Sequence, residues 1–404
     1  MEERIEGSLS NSAAVGLFWT IFGAGIVMII LGPIIDNVMM EFCVSQTMAG
    51  VLSSSYAIGG LIGMLLSPIA WRLSKPRRVL TLGTLICALS LTGFSVAWNY
   101  AMVFFSFLVG GIMNGLIFTY STTIMSNCGP ETKRASNINY LYSAFGIGVI
   151  VGPFAAQLIL NSTGNWRHVL YLPIAIMTIA SLWTFSVRTF FTCTEHDKVA
   201  NDRESLSRIE DVPEKRRVWN RNLLSLFIAL ALYVGAEGSV NVWVVKYFTD
   251  IHSFTGSGYI LTLIWIAITL GRVLLGRFAS SSPNARMVIY MAVVSSIALV
   301  GGAMTSSIFI AAGLYILVGF GFAGIYPSLI SMVSSAADSN KNLALSIATS
   351  AGDLGAIFFP PLIGAIAEYI GFRIAMELIA IFLIVAIMVL RFGFAKDMSS
   401  TKGV

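Results

Sequence analysis

The stretch SAFGIGVIVGP at residues 143–153 recurs as SAGDLGAIFFP at residues 350–360, which begins 207 positions later. Both copies open with Ser-Ala, carry glycine at the sixth position and end in proline. Two further landmarks recur in the same order at offsets of 206 to 208 positions: Gly63 and Arg78 with Gly271 and Arg286, and Trp166-Arg167 with Phe372-Arg373. An internal duplication of this length is typical of membrane transporters, in which two related bundles enclose the binding site.

The composition indicates a chain that lies mostly in lipid. Of its 404 residues, 56% are hydrophobic and only 11% are charged, and the mean hydropathy is +0.81. A soluble domain carries about 25% charged residues, so most of this surface does not face water. These values exclude a soluble enzyme, a disordered protein and a nucleic-acid-binding protein, despite a net charge of +5. We therefore predict a polytopic membrane protein.

Twelve apolar runs reach the length of about 20 residues that a helix needs to cross a bilayer. The predicted spans are 15–38, 47–71, 78–98, 101–126, 137–160, 168–190, 222–246, 256–280, 286–304, 307–335, 342–370 and 374–394. The one long polar stretch separates the sixth span from the seventh. We predict an all-α integral membrane fold of two pseudo-symmetric six-helix bundles, residues 13–190 and 222–394, joined by a cytoplasmic linker at 191–221.

The basic residues predict the orientation, because positive loops stay in the cytoplasm. Of the 25 Lys and Arg residues, only Arg167, Lys246 and Arg373 fall on the side opposite the N-terminus. Both termini are therefore predicted to be cytoplasmic. We expect a multi-pass protein of the plasma membrane, the inner membrane of a prokaryote.

The loop after the second span resembles a motif of the major facilitator superfamily, and the resemblance extends over essentially the whole chain. That family usually reads Gly-x-x-x-Asp-Arg-x-Gly-Arg-Arg, where this chain has SPIAWRLSKPRR at residues 67–78. Trp71 stands where the acid is expected, and the second half has Gly271-Arg272 and Gly276-Arg277 in the corresponding place. The resemblance implies a cytoplasmic latch between the halves, formed by Arg72, Arg77, Arg78 and Arg277. The alternative is that these arginines only set the topology.

Two further stretches resemble the fucose:proton symporter branch of that superfamily and related sugar porters. They are YVGAEG at residues 233–238 and GFGFAGIYPSL at residues 319–329, in the seventh and tenth spans. The resemblance implies that the first, fourth, seventh and tenth spans line the cavity. Asn114 stands where that branch often carries an acid, so a coupling role for the fourth span does not transfer.

Four ionisable residues stand out within the predicted spans, where each costs about 2.5–3.5 kcal/mol to insert. Glu237 is surrounded by small residues in the seventh span, so a substrate can approach it, and a carboxyl there can couple proton movement to transport. Asp36 follows Gly32-Pro33 and is the second candidate for proton coupling, or is simply solvated near the headgroups. Arg272 and Asp353 lie at similar depths, which predicts an ion pair with a gating or structural role.

Sugars are bound by hydrogen bonds to their hydroxyls and by stacking on aromatic rings. The polar and aromatic candidates for substrate binding on the cavity spans are Asn114, Tyr120, Glu237, Asn241, Tyr315 and Tyr326. Glu237 and Asn241 are four residues apart and share one helical face. For each aromatic residue, packing or a place at the membrane interface is the alternative.

The sequence therefore predicts a secondary active transporter that moves a small polar solute, a sugar or a related metabolite, by alternating access with proton coupling. The alternative on the same fold is an exporter of drug-like or amphiphilic compounds. A membrane enzyme is not favoured, because the four cysteines and three histidines form no cluster. We predict no cofactor, no metal and no nucleic acid. The expected partners are the substrate, protons and the lipid bilayer, and the protein is expected to be a monomer.

Overall fold

A computed structural model describes residues 10–127, 131–187, 220–278, 285–337 and 341–393. The described part is helical, and twelve of its helical segments are long and apolar enough to cross a membrane. The helices in chain order are α1 (Asn11–Ile29), α2 (Leu31–Phe42), α3 (Gln46–Leu73), α4 (Pro76–Ser95), α5 (Tyr100–Asn127), α6 (Glu131–Thr163), the short 3₁₀ helix Trp166–Leu170, α7 (Tyr171–Ser186), α8 (Arg221–His252), α9 (Ser257–Phe278), α10 (Ala285–Met304), α11 (Ile308–Phe322), α12 (Ile325–Ala336), α13 (Lys341–Ile370) and α14 (Phe372–Gly393). All twelve predicted spans are confirmed as helices, with ends that agree to within a few residues except that α8 extends to His252, six residues beyond the predicted end. The predicted residues 188–190, 279–280 and 394 lie outside the described residues. Residues 191–219 of the predicted linker lie outside the described residues.

Two of the spans are interrupted, and a proline accounts for each interruption. The first span breaks at Ile30 between α1 and α2, three residues before Pro33. The tenth breaks at Ala323-Gly324 between α11 and α12, just before Pro327. Proline has no N–H to donate to the carbonyl four residues earlier and its ring collides with that turn, so the helix opens there.

The internal duplication is visible in the helix packing. In the N-terminal half, α1 packs against α6 and α3 packs against α5; in the C-terminal half, α8 packs against α13 and α9 packs against α11. These pairs join the first span to the fifth and the second to the fourth, then the seventh to the eleventh and the eighth to the tenth. The same pairing in both halves is the arrangement that the repeated sequence predicts.

Glycines allow backbones to touch between α3 and α5. A Cβ atom added to Gly63 would lie 1.9 Å from the carbonyl oxygen of Ile112, and one added to Gly115 would lie 2.1 Å from that of Gly60. Such close contact gives dispersion attraction in lipid, where no hydrophobic effect drives helices together. The small-residue pairs of these two helices are therefore packing positions.

The two halves are joined at one end of the bundle. We call it the sealed end; it contains the loops after α2, α4, α6, α8, α10 and α13. The opposite, basic end contains the loop between α3 and α4 and the gaps around 188–219 and 279–284. Among the described residues, the hydrogen bonds and the ion pair between halves all lie towards the sealed end, and they involve Thr47 with Glu368, Ser54 with Ile357, Gln157 with Thr255 and Gly258, and Lys246 with Asp36. Because no described hydrogen bond or ion pair joins the halves towards the basic end, we infer that a cleft lies between them there.

Candidate functional site

Glu237 lies on α8 within a group of polar side chains contributed by four spans. It is half-buried and interacts electrostatically with Arg272 of α9 and with Tyr326 of α12. Tyr326 interacts in the same way with Asp353 of α13. We call Glu237, Arg272, Tyr326 and Asp353 the polar cluster. The structure therefore brings together four of the residues that the sequence predicts as site residues.

The polar cluster borders the cleft between the halves. Tyr142 of α6, in the N-terminal half, is 44% exposed and interacts electrostatically with Tyr326 across the gap. Arg272 is exposed, and Glu237, Tyr326 and Asp353 are half-buried. A new helix, α12, begins after the break at Ala323-Gly324. The break therefore determines the direction in which the side chain of Tyr326 projects from α12. The cluster thus includes an exposed group, Arg272, and a neighbour from the opposite half, Tyr142.

Arg272 and Asp353 form no ion pair within 4.0 Å in the part of the chain that the structure describes. The carboxyl of Asp353 is half-buried, whereas the guanidinium of Arg272 is exposed. An exposed guanidinium in an open cleft gains little from pairing, since water solvates it already. The predicted pair is absent from this conformation, and its formation in a closed one stays a prediction.

Asn241 lies one helical turn beyond Glu237 on α8. Its side-chain oxygen accepts a hydrogen bond from Nε1 of Trp265 at 3.1 Å, which ties α8 to α9. Its Nδ2 group donates no hydrogen bond to any described residue. A half-buried amide whose oxygen is fixed and whose N–H groups are free is a ready donor to a ligand oxygen.

Asn114 of α5 connects helices within the N-terminal half. Its Nδ2 donates to the carbonyl oxygen of Ala24 at 3.1 Å and also to the hydroxyl of Tyr56. Its Oδ1 is buried without a hydrogen-bond partner among the described residues. Asn114 is only 8% exposed, and its described contacts are with α1 and α3. A contact with substrate stays a prediction.

Tyr120 and Tyr315, both predicted to contact substrate, are fully buried within the packing of one half each. The ring of Tyr120 lies 4.9 Å from that of Trp71, and its hydroxyl donates to the carbonyl of Ser74 at 3.4 Å. The ring of Tyr315 lies 5.3 Å from that of Phe248, and its buried hydroxyl has no hydrogen-bond partner among the described residues. These positions favour the packing explanation for both residues.

Asp36 lies at the sealed end, where it joins the two halves. Its carboxylate accepts from the Lys246 ammonium at 2.5 Å, and Lys246 also pairs with Asp250 at 2.9 Å. Lys246 is 9% exposed at its side chain, and Asp36 and Asp250 are 30% and 33% exposed. One partly buried cation thus holds a carboxylate from each half. We call this group the outer ion pair.

Replacing Lys246 with Met is expected to weaken the sealed end. Loss of the ammonium leaves Asp36 facing Asp250 without a counter-charge, and one charge-assisted contact is worth about 1.5–3 kcal/mol. The ratio of sealed to open molecules should fall about tenfold or more. Spin labels at the exposed residues Trp98 and Phe309, one in each half at the sealed end, would report a longer distance, in a background from which the four native cysteines are removed.

The control is Lys341→Met, which removes an exposed ammonium at the basic end. Because Lys246→Met leaves Asp36 facing Asp250, adding Asp36→Asn should lengthen the distance no further and should reverse part of the change by removing the repulsion. Additive effects of the two substitutions would show that the ion pair does not hold the halves together.

The arginines predicted as a cytoplasmic latch make no described contact between the halves. Arg77 donates to the carbonyl oxygen of Phe185 and lies 5.2 Å from the centre of its ring, within the N-terminal half. Arg72 and Arg78 are exposed. The side chain of Arg277 lies outside the described residues. The predicted latch can form only in a conformation in which the halves meet at the basic end, so it stays a prediction.

Two residues of this arrangement, Tyr233 and Lys246, are not identified as site residues by the sequence analysis. Tyr233 precedes Glu237 by one turn and contacts its carboxyl, but an aromatic residue in an apolar helix gives no signal. Lys246 counts towards topology as a loop charge, although α8 extends to His252 and includes it. A lysine placed five residues after Asn241 on a span with an acid is the signal that could identify it.

Comparison with known proteins places this fold in a family. The model of the Major Facilitator Superfamily matches residues 17–342 and, in a second overlapping match, residues 226–401. A protein named TsgA homolog from Yersinia pestis (strain Pestoides F) is 20% identical over an alignment 399 residues long, which covers 96% of this chain and 97% of that protein.

Solved structures show the same architecture. A bacterial homolog of the human lysosomal transporter Spinster, in an inward-facing and occupied conformation, superposes with a TM-score of 0.79 at 12% identity, over 96% of this chain and 97% of that one. A D-xylose-proton symporter superposes with a TM-score of 0.74 at 13% identity, over 94% and 97% of the two chains. With the family model covering most of its length, the chain belongs to the Major Facilitator Superfamily of membrane transporters.

Proposed function

We propose that this transporter moves a sugar or a related polar metabolite by proton-coupled secondary transport, with Glu237 as the group that carries the proton. The observation that carries the proposal is the polar cluster, in which an acid lies between an exposed arginine and a half-buried tyrosine at the edge of the cleft. We further propose that it acts as a monomer in the plasma membrane, the inner membrane of a prokaryote, with the basic end in the cytoplasm.

The hydrogen-bonding groups around Glu237 suit a polyhydroxylated solute. Asn241 and Arg272 supply donors, Asp353 supplies an acceptor and Tyr326 can do either. A solute with several hydroxyls can satisfy such a mixed set, whereas a purely apolar one leaves the groups unpaired. The resemblance of residues 233–238 and 319–329 to sugar porters supports the same class, as does the shared fold of the D-xylose-proton symporter.

Proton coupling through Glu237 follows from its position. The carboxyl borders a cleft that opens to one side, so it can exchange a proton with that side while the sealed end blocks the other. Arg272 stabilises the ionised form, and a bound solute that contacts both groups changes that balance. Asp36, the second candidate for coupling, is held by Lys246; we propose that it acts through closure of the sealed end.

The substrate class can be tested on purified protein by a thermal-shift screen against sugars, organic acids and lipophilic cations. A ligand that binds the folded state raises the melting temperature in proportion to the logarithm of its concentration. Stabilisation by hexoses or pentoses supports the proposal. Stabilisation by lipophilic cations alone would overturn it.

Replacing Asn241 with Ala is expected to weaken binding of the sugar identified in that screen about fivefold to tenfold, because one hydrogen bond is worth about 1 kcal/mol. Isothermal titration would measure the change. Trp265→Phe is the matched control, since it removes the hydrogen bond to Oδ1 of Asn241 and leaves the amide in place. An equal loss in both variants would assign the effect to packing of α8 against α9.

One observation favours a second candidate, an exporter of amphiphilic compounds. An open pocket of about 480 Å³ lies near the basic end between α8 and α13. Its lining is mostly apolar and consists of Leu224, Phe227, Ile228, Ala231, Ile347, Ala351 and Leu354 with Ser346 and Ser350. Leu354 follows Asp353 directly, so an apolar body in this pocket could place a polar head at the cluster. Lipophilic hits in the same screen that are lost in Phe227→Ser would support this candidate.

A further inference from the structure

The break in the tenth span leaves a backbone carbonyl that a side chain from another span caps. Phe322 ends α11, and the last carbonyls of a helix have no partner within it. No backbone N–H among the described residues donates to the Phe322 oxygen; the hydroxyl of Tyr233 does so at 3.0 Å. Tyr233 is fully buried, and its ring meets that of Phe322 edge-on at 5.5 Å.

The same side chain also lies beside the acid of the polar cluster. Glu237 follows Tyr233 by one turn on the same face of α8, and its carboxyl interacts with the Tyr233 side chain. A phenol has one proton to donate. Because that proton goes to the Phe322 carbonyl, a hydrogen bond between Tyr233 and Glu237 in this arrangement must be donated by a protonated Glu237.

We infer that Tyr233 is a positioning residue that transmits the protonation state of Glu237 to the break between α11 and α12. The inference rests on the proposed function, in which Glu237 gains and loses a proton. In the protonated state, Glu237 donates to the Tyr233 oxygen and Tyr233 donates to the Phe322 carbonyl. When the proton of Glu237 leaves through the cleft, the carboxylate only accepts, so the Tyr233 hydroxyl turns to it and leaves the carbonyl. Tyr233 keeps its own proton throughout.

Movement of the Tyr233 hydroxyl away from the Phe322 carbonyl is expected to change the position of α12. An uncapped carbonyl in an apolar environment is costly, so the break must rearrange or admit water when Tyr233 turns away. This break orients Tyr326, which belongs to the polar cluster. The other charged or titratable groups that face Glu237 are Arg272 on α9 and, through Tyr326, Asp353 on α13. Loss of a proton at Glu237 would thus alter the site's geometry through Tyr233.

Hydrogen exchange of the full-length protein in nanodiscs tests this without a substrate. The measured region is the peptide covering 319–330, in mildly acidic and mildly alkaline buffer, with exchange times scaled for the intrinsic pH dependence. In the wild type, protection should fall about fivefold on going to alkaline buffer, as expected for loss of one hydrogen bond. Tyr233→Phe should be poorly protected in both buffers, and Glu237→Gln well protected in both.

Tyr315→Phe is the matched control, because it removes a buried tyrosine hydroxyl of the same half that has no described partner; it should keep the wild-type response. If Tyr233→Phe keeps that response while Glu237→Gln loses it, the inference is wrong and the proposed proton site stands. If Glu237→Gln also keeps the response, the proposed role of Glu237 is wrong together with the inference. A wild type without any response overturns the inference as well.

Discussion

A Glu237→Gln variant is expected to lose solute accumulation driven by a proton gradient while it keeps exchange of solute across the membrane. Glutamine has the shape of a protonated glutamate and preserves most hydrogen bonds of the neutral acid, but it does not ionise. The binding and rocking steps therefore continue, and the link to the proton gradient is cut. This is the largest functional effect that we expect from a single substitution in the polar cluster.

The magnitude follows from the energy stored in the gradient. One pH unit is worth about 1.4 kcal/mol per proton, which is a factor of ten in concentration. With one proton per solute and a gradient of about one unit, wild-type proteoliposomes should accumulate the labelled solute about tenfold. Glu237→Gln should equilibrate at a ratio of about one, at a counterflow rate within a few-fold of wild type.

The matched control is Glu377→Gln on α14. Glu377 is also a half-buried acid in the C-terminal half, but its described electrostatic contacts are with Tyr247 and Tyr315, away from the polar cluster. It should accumulate solute as the wild type does. Undiminished accumulation in Glu237→Gln would remove this residue from the coupling mechanism.

The sequence predicts the fold well because lipid leaves few alternatives. A backbone in hydrocarbon must satisfy its own hydrogen bonds, so each apolar run of sufficient length becomes a helix, as the twelve spans show. The repeat between residues 143–153 and 350–360 fixes the pairing of helices further. Pro327 even marks the break in the tenth span.

The site is predicted less completely, because a sequence shows depth along a helix better than direction around it. Depth identifies Glu237 and Asp353 as unusual acids, and the structure brings both to the polar cluster. Direction decides whether an aromatic residue binds solute or packs, and Tyr315 packs. Contacts between halves, such as Lys246 with Asp36, depend on the conformational state, which no single-chain pattern encodes.

The second large effect is expected from a substitution of Gly50, which lies on α3 at the sealed end. There α3 meets the two prolines of α13 so closely that a Cβ atom on Gly50 would lie 2.5 Å from Cα of Pro361 and 2.8 Å from the carbonyl oxygen of Pro360. Both are backbone atoms, so neither yields by a side-chain rotation. Gly50→Ala should therefore prevent α3 and α13 from meeting.

Gly60→Ala is the control on the same helix, since a Cβ atom there meets nothing within 4 Å. Each substitution replaces glycine by a better helix former, so only the contact with α13 distinguishes the two variants. Overpacking at a rigid contact costs about 1–3 kcal/mol, which lowers the ratio of sealed to open molecules by about fivefold to 150-fold. The distance between labels at Trp98 and Phe309 should lengthen in Gly50→Ala alone.

Transport should fall by a similar factor in Gly50→Ala, because alternating access requires the sealed end to close in each cycle. The loss must appear in the turnover rate and leave solute binding from the opposite side intact, since Gly50 lies away from the polar cluster. Folding is checked by the melting temperature, where Gly50→Ala and Gly60→Ala should differ little if the open state tolerates the methyl group. Wild-type turnover with unchanged label distances in Gly50→Ala would mean that contact between α3 and α13 is not part of the cycle.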